Sequence, residues 1–178
     1  HLSASAKGVS FHAHSSSEQV ARIFDASEIE LDIVYLTDAG TPNISDPGRG
    51  LCAYAFINGF DIRPLPGPSA ITAALSVCPF AGRGFTFLGF LPRKGAARQA
   101  ELLQIRDSQL VTGVFEAPSR FGETIDEFAE VLESERKIFV AREITKIHEQ
   151  YVVFDLASWR DIRATIPELG EFTIIIDR

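Results

Sequence analysis

The stretch Val34-Tyr35-Leu36-Thr37-Asp38-Ala39-Gly40-Thr41-Pro42-Asn43-Ile44-Ser45-Asp46-Pro47-Gly48 limits what this chain can fold into more than any other. Ile33 to Leu36 is a continuous apolar, partly β-branched run, which predicts a buried strand. Thr37 to Gly48 then holds two Gly, two Pro and two Asp before a helical pattern resumes. A strand that feeds a rigid, Gly-containing loop and then a helix is how open α/β sheets present ligand sites at strand C-terminal ends. Pro42 and Pro47 stiffen this loop by fixing their own φ and pushing Thr41 and Asp46 toward extended conformations. The loop is longer than the roughly 2–6 residues usual for such a connection, and longer connections tend to be functional.

A second unit of the same kind follows. Leu51, Tyr54, Ala55 and Phe56 predict a helix that closes at Asn58-Gly59, and Asp61 to Leu65 predicts a strand. Pro66-Gly67-Pro68-Ser69-Ala70 is a second rigid turn, and a helix over Ser69 to Val77 comes next. Two strand–turn–helix units in a row imply a parallel sheet with covered faces. Pro79, Gly82 and Gly84 relax the pattern, so the domain boundary is placed at about residue 80 (1–80 and 81–178).

Beyond it, Phe85 to Leu88, Leu110 to Phe115, Lys137 to Ala141, Glu149 to Phe154 and Glu171 to Ile176 read as strands. Phe121, Ile125, Phe128 and Leu132 share one face of a helix, and a short helix lies near Trp159. Gly89-Phe90-Leu91-Pro92-Arg93-Lys94-Gly95, with Arg98, is basic and aromatic: a solvated loop by default, or a grip on a phosphate backbone or a base. At the front, residues 8–14 read as a short strand that places His12 and His14 on one face, and Ser15-x-x-Glu18 forms a capping box for a helix ending near Ser27. No third ligand accompanies the two histidines, so no metal site is expected.

With 178 residues, 46% of them hydrophobic, the chain can bury a real core. A net charge of −7 argues against a general nucleic-acid-coating protein, although a local basic patch is compatible with it. Cys52 and Cys78 fit no metal spacing and read as two buried thiols of a reducing cytosol. No apolar run is long enough to span a bilayer. The chain opens at His1 and contains no Met, so a preceding segment is expected.

Five segments, in this order, carry a family resemblance: Thr37 to Gly48, Pro64-Leu65-Pro66-Gly67-Pro68-Ser69-Ala70, Gly89 to Lys94, Phe115-Glu116-Ala117-Pro118-Ser119-Arg120, and Ala141-Arg142-Glu143-Ile144-Thr145-Lys146. Gly170-Glu171-Phe172-Thr173 also fits. Together they resemble the bacterial small-subunit ribosomal RNA (cytidine-2′-O-)-methyltransferases, a branch of the tetrapyrrole methylase superfamily. The resemblance implies two α/β domains with S-adenosylmethionine in the cleft between them, and a cytoplasmic homodimer acting on ribosomal RNA in the small subunit. It places the cofactor against Asp38, Ala39, Gly40, Thr41, Pro42 and Ile44, with Gly67, Ser69, Ala70, Glu116 and Ile144 completing the pocket. The family opens with a strand and a Gly-Asn-Leu loop that do not occur in this sequence, so the first domain is expected to be incomplete at its start.

The implied chemistry is in-line attack of a ribose 2′-oxygen on a sulfonium methyl, in which alignment does most of the work. A base can assist, and Asp38, Glu116 and Glu143 are candidates by position. Each has a structural alternative, as a carboxylate that accepts loop N–H bonds or pairs with Arg120 or Arg142. Arg93, Lys94, Arg98, Arg120, Arg142 and Lys146 form the expected RNA-facing set. Two other readings stay open: a tetrapyrrole or other small-molecule methylase of the same superfamily, and a non-catalytic nucleotide-binding or interaction domain.

Overall fold

A computed structural model describes residues 8–12, 15–25 and 32–178. The chain divides into two compact units, residues 1–68 and 69–178. The division falls at Pro68/Ser69, ahead of the boundary read near residue 80, because the helix after the second turn packs on the sheet of the second unit.

In the first unit, helix α1 (Ser17–Asp25) and helix α2 (Arg49–Ile57) bury Val20, Phe24, Leu51 and Ala55 against one another. Phe24 stacks on Tyr54 at 4.8 Å between ring centroids. α1 is capped one residue later than Ser15-x-x-Glu18 suggests. Ser16 N–H donates to Gln19 Oε1 (2.7 Å), and Gln19 N–H donates to Ser16 Oγ (3.3 Å). Ser15 is occupied instead in a turn with His12, accepting the His12 N–H at 3.0 Å. α2 closes as expected at Asn58-Gly59: Gly59 has φ 74°, Gly59 N–H donates to Phe56 O, and Phe60 N–H donates to Ala55 O.

The parallel sheet expected here is absent among the described residues. Ile33 to Leu36, Asp61 to Leu65 and residues 8–12 form no strand, and Val34, Leu36 and Leu65 are exposed. A strand exists only where a neighbour satisfies its N–H and C=O groups. Among the described residues nothing pairs with these runs. His14 and Ser27 lie outside the described residues.

The second unit is built on one five-stranded sheet. Its strands are β1 (Phe85–Phe90), β2 (Val111–Glu116), β3 (Lys137–Arg142), β4 (Gln150–Asp155) and β5 (Phe172–Ile176), in the spatial order β1-β2-β5-β3-β4. β1 and β2 are parallel, and every other pairing is antiparallel. β5 lies between β2 and β3 and runs against both, so β1, β2 and β3 share one direction. All five strand segments read from sequence are present, each within a residue or two.

Both faces of the sheet are covered, which explains why Phe172 and Ile174 to Ile176 are buried without interruption. Ile174 and Ile176 face a core with Val114, Ile138 and Val140, closed by Phe121, Ile125 and Phe128 of helix α5 (Pro118–Val131). Leu102 and Ile105 of helix α4 (Gly95–Asp107) join the same core. Ile175 faces the other way with Phe139, Ala141 and Val111, under Ile71 and Ala74 of helix α3 (Ala70–Val77). Each such aliphatic side chain contributes about 1.5–3 kcal/mol on full burial. A short helical segment, α6 (Trp159–Ile162) with a 3₁₀ turn on either side, seats Trp159 against Phe121 and Phe154.

α4 is the element the sequence reading missed. Cys52 is exposed, so only Cys78 fits the expectation of buried thiols; burial pushes the Cys78 thiol above its ordinary pKa. Among the described residues no three His, Cys, Asp or Glu side chains gather as a metal site.

Space on the α3 face is limiting at Gly113, where a Cβ would lie 2.3 Å from Ile71 Cδ1 and 3.3 Å from Ile175 Cδ1. Gly113→Val is expected to destabilise the chain by about 1–3 kcal/mol through overpacking. Adding Ile71→Ala should recover part of that loss, as read by urea denaturation of the single and double variants.

Candidate functional site

The strand directions determine where the motif segments of the second unit go. The C-terminal ends of β1, β2 and β3 and the N-terminal end of β5 meet at one sheet edge, where Glu116 and Arg142 both pair with Phe172. Gly89 to Lys94, Glu116 to Arg120, Arg142 to Lys146 and Gly170 to Thr173 therefore converge there. β1 shifts register between Phe87 and Gly89, Gly89 has φ 69°, and Phe90 emerges half-exposed against Phe115.

Glu116 has a fully buried carboxylate with both oxygens engaged. Oε1 accepts the Ala117 N–H at 2.8 Å and pairs with the Arg120 guanidinium at 2.6 Å, and Oε2 accepts the Thr124 hydroxyl at 2.7 Å. This corrects its place among the candidate bases: it serves as an internal acceptor. Arg98 is also corrected. It is only 5% exposed, pairs with Glu127, and donates to Thr124 Oγ1 (2.8 Å) and the Pro92 carbonyl (2.9 Å), so it cannot face RNA. The Glu127 carboxylate holds the Arg98 guanidinium above its ordinary pKa.

Arg142, 7% exposed, is the third correction. Its guanidinium donates to the carbonyls of Leu169 (2.5 Å) and His148 (3.0 Å). Next to it, Glu143 has φ 52°, a conformation that costs a non-glycine residue about 1–3 kcal/mol and persists only when its surroundings over-determine it. They do so here. Glu143 N–H donates to Glu171 O, Glu171 N–H donates to Glu143 Oε1, both at 2.9 Å, and Lys146 Nζ lies 3.0 Å from the same oxygen. Gly170 (φ 89°) is required at this point, since a Cβ there would fall 2.5 Å from the Glu143 side chain. Lys146 is shared between Glu143 and Glu171, so its charge is already matched. Arg120 is partly exposed and tied to Glu116 and the Leu91 carbonyl. Arg93 and Lys94 are exposed, with no ion pair or side-chain hydrogen bond among the described residues.

In the first unit, the Thr37–Gly48 loop is held by its own bonds. Tyr35 hydroxyl donates to Pro47 O, Ile44 N–H donates to Thr41 O (3.2 Å), and Thr41 Oγ1 donates to Pro68 O (2.7 Å). The last bond ties the first motif loop to the second. Gly48 (φ 146°) leaves room for Tyr35, whose Cε1 would sit 2.9 Å from a Cβ. Asp38, Ala39, Gly40, Ile44 and Gly67 are exposed, and Thr41 and Pro42 half-buried. In the second unit, Ser69 and Ala70 begin α3, where the Ser69 hydroxyl makes no cap bond, and Ile144 packs at the edge of the α3-side core.

Thr124, Glu127, Gly170 and Glu171 complete these arrangements and were not singled out from sequence as site residues. Glu116, Arg120, Thr124 and Glu127 recur at spacings of four, four and three, a polar stripe that could have been read. The Arg98 contact, 29 residues from Glu127, left no local sign.

A family model for tetrapyrrole (corrin/porphyrin) methylases matches residues 2–159. Among solved structures, the methyltransferase CobJ is similar with TM-score 0.57 at 21% identity, covering 78% of this chain and 62% of that one. The native uroporphyrin III C-methyl transferase from Thermus thermophilus is similar with TM-score 0.51 at 15% identity, covering 78% and 62%. These likenesses define the fold class, an α/β methylase fold. The chain belongs to the tetrapyrrole (corrin/porphyrin) methylase family.

Relatives in sequence are named ribosomal RNA small subunit methyltransferase I. That of Mycobacterium tuberculosis (strain CDC 1551 / Oshkosh) is 37% identical over 161 residues, 89% of this chain and 55% of that protein. That of Thermotoga maritima is 32% identical over 168 residues, 94% of this chain and 75% of that protein. The chain thus spans about half the length of the Mycobacterium relative.

The Glu143 carboxyl is held below its ordinary pKa, first by the Glu171 N–H and then by the Lys146 ammonium. A carboxyl with a depressed folded-state pKa stabilises the fold above its unfolded value of about 4.3 and loses that contribution as pH falls through the folded value. Glu143→Gln should therefore lower stability at pH 7 and flatten the acid limb below about pH 4. Urea midpoints of both proteins measured from pH 7 to pH 3 check this.

Proposed function

We propose that this chain belongs to an S-adenosylmethionine-dependent enzyme that methylates the ribose 2′-oxygen of a cytidine in small-subunit ribosomal RNA. The observation that carries the reading is the convergence of four motif segments on one sheet edge beside the unpaired cations Arg93 and Lys94, in a chain whose relatives are named for the small ribosomal subunit. The family resemblance supports a cytoplasmic homodimer. Among the described residues no helix is long and apolar enough to cross a membrane.

The residues present fit the cofactor. Ala39, Gly40, Gly67 and Ala70 keep side-chain bulk away from backbone groups, a Cβ on Gly40 or Gly67 would meet no neighbour closer than 3.8 Å, and the Ser69 hydroxyl is unspent at the start of α3. The family resemblance assigns the cofactor's contacts to Asp38 to Pro42, Ile44 and Gly67 of the first unit and to Ser69, Ala70 and Ile144 of the second. When bound, S-adenosylmethionine supplies an electrophilic methyl on a good leaving group.

The chain's own work is alignment of the acceptor and custody of one proton. Arg93 and Lys94 attract the RNA backbone. Glu116 is spent within the fold, and Glu143 already binds Lys146 and the Glu171 N–H. Asp38 is exposed and has no hydrogen-bond partner among the described residues, so it is the carboxylate open to take the 2′-hydroxyl proton.

Calorimetric titration of S-adenosylmethionine, then methyl transfer to purified small ribosomal subunits, tests the reading. Gly67→Trp, which has open space in the fold, should abolish cofactor binding without unfolding the chain. Arg93→Ala with Lys94→Ala should leave cofactor affinity intact, weaken binding to subunits, and reduce the salt slope by about one for each cation removed. Transfer to a tetrapyrrole and not to subunits would overturn the RNA assignment.

A further inference from the structure

We propose that Arg98 and Arg120 are positioning residues: a two-armed clamp that fixes the loop carrying Arg93 and Lys94, so that both cations meet the acceptor RNA from a rigid backbone. The inference rests on the RNA reading above and goes beyond it, since neither clamp residue touches the acceptor.

The two arms end on adjacent carbonyls immediately before Arg93. Arg98 donates to Pro92 O at 2.9 Å, and Arg120 donates to Leu91 O at 3.3 Å. Each arm is anchored by its own carboxylate, Arg98 by Glu127 and Arg120 by Glu116. Thr124 links one arm to the other arm's anchor, accepting from Arg98 at 2.8 Å and donating to Glu116 at 2.7 Å. The Leu91 side chain, 2% exposed, pins the same point from the core.

Burying a guanidinium costs desolvation that a packed apolar side chain would avoid, so such pairs are weak contributors to stability alone. What these two do is place charged groups on backbone that would otherwise be a surface loop. A cation on a fixed backbone loses less freedom on binding than one on a mobile loop. The neighbouring Arg93 and Lys94 remain unspent, the state such a presentation requires.

The test uses Arg98→Lys and Arg120→Lys in the full-length protein. Both keep the charge, but a single ammonium cannot span a carboxylate and a loop carbonyl, and for Arg98 the Thr124 hydroxyl as well, as the planar fork does. With purified small ribosomal subunits as acceptor, KM should rise about tenfold or more while kcat and the Kd for S-adenosylhomocysteine stay within about twofold. In an Arg93→Ala, Lys94→Ala background the same substitutions should add less than about twofold, because the groups they position are gone.

Additive effects, a fall in kcat with unchanged KM, or silence in both variants would overturn the clamp. If Arg98→Lys does not fold, Arg120→Lys, at a partly exposed position, decides the matter alone. Wild-type protein that binds S-adenosylhomocysteine yet neither binds nor methylates subunits would overturn the RNA reading, and the clamp with it. Active wild type with silent variants would overturn the clamp only.

Discussion

The second unit depends on the placement of β5. A strand running antiparallel between β2 and β3 takes ladder hydrogen bonds on both sides, and it is buried along its whole length because both sheet faces are covered. Its direction has the larger consequence. With β5 in the slot, β1, β2 and β3 all end at the same edge, and loops far apart in sequence arrive side by side. The same slot seats the Gly170–Thr173 segment beside Glu116 and Arg142.

At that edge the polar side chains fall into two groups with different work. Glu116, Thr124, Glu127, Arg98 and Arg142 are spent inside the protein, on one another and on loop carbonyls. Arg93 and Lys94 are not. A buried cation has its donors taken by fixed acceptors and cannot follow a ligand, whereas an exposed one keeps its donors for a partner. Exposure, more than charge, separates the residues that hold these loops from those left open to a ligand.

That separation explains what the sequence could and could not carry. The strands of the second unit were legible because each is a short apolar run bounded by turn residues, and α5 because Phe121, Ile125 and Phe128 return to one face. The helix of α4 was hidden by its own composition: it opens on Gly95 beside two cations, and the residue it buries next to Leu102 and Ile105 is Arg98. A buried arginine looks the same in sequence as a phosphate-binding one. Only the partner 29 residues away decides which it is. The runs at Ile33–Leu36 and Asp61–Leu65 fail in the opposite sense, since their pattern is a strand's and yet a strand is a relation between segments, not a property of one.

Glu143 shows how local strain and long-range contact are linked. Its positive φ lets its carboxylate reach the Glu171 N–H and Lys146 while its own N–H reaches Glu171 O, and Gly170 leaves the space for that side chain. Any side chain at residue 170 would displace the carboxylate, and without it only the backbone bonds of Glu143 to Glu171 and Lys146 offset the strained conformation. The motif Arg142-Glu143 and the motif Gly170-Glu171 are therefore one device split across 28 residues. Each half reads as an ordinary turn alone, and together they fix the loop after β3 at the same edge where Arg98 and Arg120 fix the loop after β1.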